Sequence, residues 1–148
     1  MQSEVAAPRI MSMPAVTTIA IAVRYRDIDA MRHVNNAVYA TYLETARAAL
    51  FAEHLDIALT DAPTVLASLQ IDYHAPITRG DAVTVRCAVE RVGHSSIPMA
   101  YTIRADGTDC ATATTVQVVV DADSGAAAPV PQRWRDRLLK DGDGPDGI

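Results

Sequence analysis

The chain has 148 residues, 49% of them apolar, and a net charge of −5 at pH 7, which suits one domain with a real core. No apolar run approaches the roughly 18 to 20 residues of a membrane helix, and the acidic balance gives no reason to expect nucleic-acid binding. The opening MQSEVAAPRIMSMP lacks the basic start and apolar centre of a secretory signal, so a cytoplasmic protein with no membrane partner is expected.

Residues 1–16 show no sustained period and are expected to be flexible. From Thr17 to Tyr25 the residues alternate, with Ile19, Ile21, Val23 and Tyr25 on one side, which predicts a first strand. A polar stretch holding Asp27, Asp29, His33, Asn35 and Asn36 follows. Helical spacing then begins: Tyr39, Tyr42, Leu43, Ala46 and Leu50 recur at intervals of three and four, predicting a helix from about Asn36 to Leu55. An Asn at its start is a good cap.

Turn formers in DIALTDAP lead to an alternating strand that Pro76 ends, with Val65, Ala67, Leu69, Ile71 and Tyr73 on one face. After a Gly80-Asp81 turn, Val83, Val85, Cys87 and Val89 predict the next strand. The Arg91–Ser96 turn precedes a fourth strand, about Ser96 to Arg104. Asp106-Gly107 is a hairpin signal before a final strand, Asp109 to Val120. A flexible SGAAAP link, a short amphipathic helix around Gln132 to Lys140 and a disordered Gly/Asp tail complete the chain. Cys87 and Cys110 sit in strand-like stretches and read as reduced packing residues. One strand, a helix and then four strands predict an α+β domain with the helix packed on an antiparallel sheet.

The chemistry concentrates where the first strand meets the helix. A helix N-terminus offers unpaired N–H groups and favours negative charge. A carboxylate held beside it can attack or activate water while the N–H groups stabilise an oxyanion, an arrangement suited to an ester-like carbonyl. Asp29, inside the loop, is the better placed acid.

The string D-x-D-x-x-x-H-V-N-N-x-x-Y-x-x-Y-x-E-x-x-R, from Asp27 to Arg47, resembles the signature of the 4-hydroxybenzoyl-CoA thioesterase-like branch of the hotdog-fold superfamily. Plant acyl-carrier-protein thioesterases carry a similar D-x-D…H-V-N-N-x-x-Y. One departure is Arg32, where the family often has the Gly that eases a tight turn. The loop is then shaped differently, or Arg32 faces the ligand.

The resemblance, over residues 17–121, implies a hotdog fold: a curved sheet of about five antiparallel strands wrapped around a long central helix, with 122–148 as linker, short helix and tail. It implies an acyl-CoA thioesterase releasing a free acid and coenzyme A, with no cofactor and no metal, and a homodimer or dimer of dimers whose sheets join. Asp29 matches the catalytic carboxylate, as nucleophile or general base; the alternative is a turn residue bonded to local N–H groups. Asn36 matches the residue whose main-chain N–H faces the thioester carbonyl, and a plain N-cap is compatible with that. His33 either assists catalysis or holds the loop. Asn35 fixes the loop or meets the substrate or the neighbouring subunit, and Asp27 is structural. Glu44 and Arg47 form an intrahelical pair worth a few tenths of a kcal/mol or meet a subunit interface. Tyr39 lines the acyl pocket or fills core. Arg91, His94, Ser95 and Ser96 offer the best coenzyme A phosphate site, with Arg79 second; the alternative is a solvated turn. Rival readings are an acyl-carrier-protein thioesterase, a non-catalytic acyl-CoA-binding protein, and a hotdog dehydratase.

Overall fold

The computed structural model describes residues 14–139. The expected flexible N-terminus falls almost wholly outside them, as does the Gly/Asp tail. Strands β1 (Val16–Ile21), β2 (Thr64–Tyr73), β3 (Val83–Val89), β4 (Ser96–Ala105) and β5 (Thr108–Val119) form one antiparallel sheet in the order β1-β3-β4-β5-β2. Helix α1 (Val38–Leu55) lies on it, and α2 (Gln132–Leu138) packs on α1. The fold is α+β.

The strands form where alternation is strongest. Val83, Val85, Cys87 and Val89 are buried on the helix-facing side of β3, and Ile97, Met99, Tyr101 and Ile103 on that of β4. Asp106 and Gly107 join β4 to β5 with φ of 49° and 83°, the left-handed pair a two-residue hairpin loop requires. Burial raises the Cys87 thiol to about 12, so it packs as an apolar group.

Three expectations change. First, β1 ends at Ile21, because the carboxylate of Asp27 bends the chain into a 3-10 turn over Tyr25–Asp27; Tyr25 leaves the sheet and lies exposed under the guanidinium of Arg79. Second, β2 carries a bulge at Ala67, where the register against β5 jumps between Leu66 and Ser68. One extra residue flips everything before it. Thr64 and Leu66, opposite the buried Val119 and Gln117, therefore join Leu69, Ile71 and Tyr73 on the helix side, while Val65 leaves it. Third, α1 is 18 residues long, about 27 Å at helical rise, and rests on β1 and β3 rather than centrally across the sheet.

That offset positions the site. The helix side of β2 is left partly uncovered, and a groove runs between α1 and β2. The stretch 121–130 returns along the sheet by hydrogen bonds from Ala128 N–H to Val119 and from Val130 N–H to His94. Trp134 of α2 then packs edge-on against Phe51 of α1, with ring centroids 5.7 Å apart. No helix among the described residues is long and apolar enough to cross a membrane.

Candidate active site

The loop between β1 and α1 is built on two carboxylates with different surroundings. Asp27 is buried and accepts hydrogen bonds from the Arg24 backbone N–H (2.9 Å), the Arg24 guanidinium (2.9 and 3.1 Å) and the Tyr42 hydroxyl (2.8 Å). Burial pushes its carboxyl up, but these donors outweigh burial and hold it below the ordinary carboxylate value. Burial and that same carboxylate push the Tyr42 phenol up. Asp27 thus anchors the loop to α1 through a side chain of the helix's own buried face.

Asp29 is half-buried. One carboxylate oxygen accepts from Met31 N–H at 2.9 Å, the other from Asn35 Nδ2 at 3.2 Å. Its main chain pairs with His33 and accepts from Arg32 N–H at 2.8 Å. This tight turn places Arg32 at φ 68°, the left-handed region that glycine occupies without strain. So Arg32 holds a backbone shape made for Gly, and its side chain lies exposed beside Met31.

Asn35 joins Asp29 to the helix. Its Oδ1 accepts from Ala37 N–H at 2.8 Å and its main-chain oxygen from Val38 N–H at 2.9 Å. Helix α1 begins at Val38, two residues later than the spacing suggests, with Ala37 as its N-cap and no side-chain cap, while Asn35 closes the turn just before it. Asn36 lies at the mouth: its N–H makes no hydrogen bond among the described residues, and its carbonyl accepts from the Tyr73 hydroxyl at 2.7 Å.

A cleft of about 250 Å³ opens there between α1 and the end of β2, lined by His33, Val34, Asn36, Tyr39, Tyr73, His74, Ala75 and Pro76. Tyr39 is buried in its wall, with the ring of Tyr73 edge-on at 4.9 Å. His33 is half-buried, and His74 shares a 2.9 Å hydrogen bond with Thr112. Sequence reasoning misses Tyr73 and His74 as cleft residues because they alternate like any strand residues. Only Pro76 just beyond hints that the strand stops there.

The structure brings His33, Asn36 and Tyr39 together on this cleft, with Asp29 joined to it through Asn35. It does not bring the Arg91–Ser96 turn to it. Tyr73 and the start of β3 lie at one end of the sheet; the turn follows the other end of β3, about 20 Å away at strand rise. Arg135 pins that turn by donating to the carbonyls of Val92 (3.1 Å) and Gly93 (2.9 Å). A Cβ on Gly93 would meet Ser96 Oγ at 2.6 Å, so a larger residue there would have to turn the Ser96 hydroxyl aside. Glu44 and Arg47 are not paired with each other within ion-pair distance. No cluster of three or more metal-binding side chains occurs among the described residues.

A five-stranded antiparallel sheet with one helix packed on it is the arrangement of the hotdog fold. Residues 23–138 match the thioesterase-like superfamily. The chain is 34% identical to a thioesterase from Thermus thermophilus solved with coenzyme A and Zn, covering 86% of this chain and 94% of that one at a TM-score of 0.78. A predicted thioesterase from Bacillus stearothermophilus is 28% identical, with 84% and 94% covered and a TM-score of 0.78. The uncharacterized protein YsmA of Bacillus subtilis (strain 168) is 27% identical over 121 residues, 80% of this chain and 82% of that one. The chain belongs to the thioesterase-like superfamily and is a thioester hydrolase.

Proposed function

We propose that the protein hydrolyses acyl-CoA thioesters, with Asp29 as the catalytic carboxylate and the Asn36 N–H as an oxyanion donor. The observation that carries this is the chain of contacts at the start of α1. Asn35 holds the Asp29 carboxylate on one side and the helix start on the other, while the next N–H, on Asn36, is left unpartnered at the cleft among the described residues. A developing oxyanion would take that N–H, supported by the helix's positive end.

Two routes give the same products. Asp29 either removes a proton from water as its oxygen bonds to the carbonyl carbon, or attacks the carbon itself and forms an anhydride that water opens. In both, the C–S bond breaks and the departing thiolate of coenzyme A takes a proton, a role proposed for His33 on the cleft. Single turnover in ¹⁸O-water separates them: direct attack labels only the free acid, whereas anhydride opening at the aspartyl carbon labels Asp29.

The site is proposed to be shared between two chains. β2, ten residues long, is an edge strand that pairs only with β5 among the described residues, and it exposes Val65, Leu66, Leu69 and Tyr73. Such an edge is a template for another strand. An antiparallel β2–β2 contact would set the Arg91–Ser96 turn of one chain beside the cleft of the other, so that Arg91, His94, Ser95 and Ser96 could meet the nucleotide of a coenzyme A whose thioester lies at Asn36. The test is thiol release from a panel of short, long, branched and aromatic acyl-CoAs, with Asp29→Ala in parallel. A folded variant with activity down by roughly a hundredfold or more is expected; full activity would sink the assignment.

A further inference from the structure

Arg47 is a buried cation without an anion. It is 4% exposed. One guanidinium nitrogen donates to the Tyr101 hydroxyl at 3.2 Å, which shares a 2.7 Å hydrogen bond with Thr115. Its Nε has no partner, and no carboxylate lies within ion-pair distance among the described residues. A charge held this way is strongly unfavourable until an anion reaches it.

The nearest free carboxylate on the helix, Glu44, is one turn away, exposed and bonded to nothing among the described residues. Both side chains line a second cavity, about 200 Å³, walled on its far side by Leu66 and Leu69 of β2. The cavity lies in the same α1–β2 groove as the cleft, one or two helical turns further along. It also abuts the edge strand, whose Val65, Leu66, Leu69 and Tyr73 are each at least 41% exposed.

A two-fold contact is self-complementary: if residue i meets residue j across the axis, j meets i. A patch carrying one unpaired cation and one unpaired carboxylate a helical turn apart, rimmed by uncovered leucines, is therefore complete when it meets its own copy. We propose that Arg47 and Glu44 form reciprocal ion pairs with the partner's Glu44 and the partner's Arg47, and that these pairs fix the alignment of two copies along β2. The inference rests on the shared-site reading above and adds the contact that sets register. Leu66 and Leu69 supply buried area there; the crossed charges select the antiparallel arrangement over slipped ones.

The experiment uses the full chain with Glu44→Arg, Arg47→Glu and the double exchange, their association followed by analytical ultracentrifugation across concentration. Glu44→Arg faces arginine with arginine, and Arg47→Glu faces glutamate with glutamate. Each alone should weaken self-association by roughly tenfold or more, as like charges across an interface do. Mixing the two single variants should form heterodimers in preference to either homodimer, since both crossed pairs are then restored; the double exchange should dimerise again. Preferential heterodimers could not arise from a pair within one helix. Glu44 is exposed, so Glu44→Arg folds whether or not a buried Arg47→Glu does. An unchanged association constant for Glu44→Arg, in a wild type that does dimerise, overturns the proposal. A monomeric wild type would instead overturn the shared-site reading beneath it. Unchanged association with activity lost only toward acyl groups bearing a carboxylate would assign Arg47 to the substrate, against the proposal.

Discussion

Asp27 and Asp29 stand two residues apart with the same side chain, and the fold sends them to opposite tasks. Asp27 is enclosed by three donor groups and holds its charge below the ordinary carboxyl range. A folded-state value below the unfolded one contributes stability above the unfolded value of 3.8, and that contribution is lost as pH falls through the folded value. Acid unfolding below about pH 4 should therefore be steep in the wild type and flatter in Asp27→Asn. At neutral pH the variant should be less stable by on the order of 2 kcal/mol, because the charge that pairs with the Arg24 guanidinium is lost and an amide N–H₂ can face donor-only Arg24 groups. Denaturant titration across pH measures both. Arg32 offers a second residue-scale test. A side chain at φ 68° costs roughly 1–2 kcal/mol, which Arg32→Gly relieves against glycine's entropic penalty of roughly 0.5–1 kcal/mol. A small net gain in melting temperature is expected. If Arg32 also meets the ligand, KM rises with kcat unchanged.

At the scale of elements, the helix start is the joint on which the proposed chemistry and stability meet, and Asn35 is its pin. Asn35→Ala removes the acceptor for Ala37 N–H and the donor to Asp29 together. It should lower stability by about 1 kcal/mol, as lost hydrogen bonds do, and lower kcat by more than that loss explains. Asn35→Asp keeps an acceptor for Ala37 but sets a second carboxylate against Asp29. Like charge raises a carboxyl pKa, so the acidic limb of the kcat profile should move to higher pH while the melting temperature recovers. A pH–rate profile beside a thermal melt separates the two variants. This joint also shows what could be read from sequence. The strands, the hairpin and α1 were legible because their spacing repeats, and the motif loop because its residues resemble a family. The two-residue delay of α1, which leaves Ala37 as its N-cap and Asn35 in the turn before it, was not. The bond from the Tyr42 hydroxyl to Asp27, made between helix and loop, has no signature in local spacing. The Ala67 bulge was equally hidden, since strict alternation is what a bulge interrupts, and with it went the true helix-facing set of β2.

For the whole molecule, what decides function is where the helix does not sit. Because α1 rests toward β1 and β3, the groove along β2 stays open, and it carries the cleft with Asn36 at one end and Arg47 further along. The Arg91–Ser96 turn lies at the far end of the same sheet, so a single chain separates the proposed reacting centre from the proposed nucleotide contacts. Two chains joined antiparallel along β2 would close that gap, which yields a decisive experiment. Asp29→Ala and Arg91→Ala each damage both sites of their own homodimer. In a mixed dimer, the intact Asp29 of the second variant meets the intact turn of the first, giving one whole site, while the other site carries both defects. Half the dimers at random mixing are mixed and half their sites are whole, so activity at low acyl-CoA concentration should recover to roughly a quarter of wild type. If cleft and turn served the same thioester within one chain, no mixture could exceed the average of its two parents. Thiol release from unfolded, mixed and refolded variants, against the same variants refolded apart, distinguishes the outcomes. Recovery would place the hydrolytic carboxylate and the coenzyme A contacts on opposite chains.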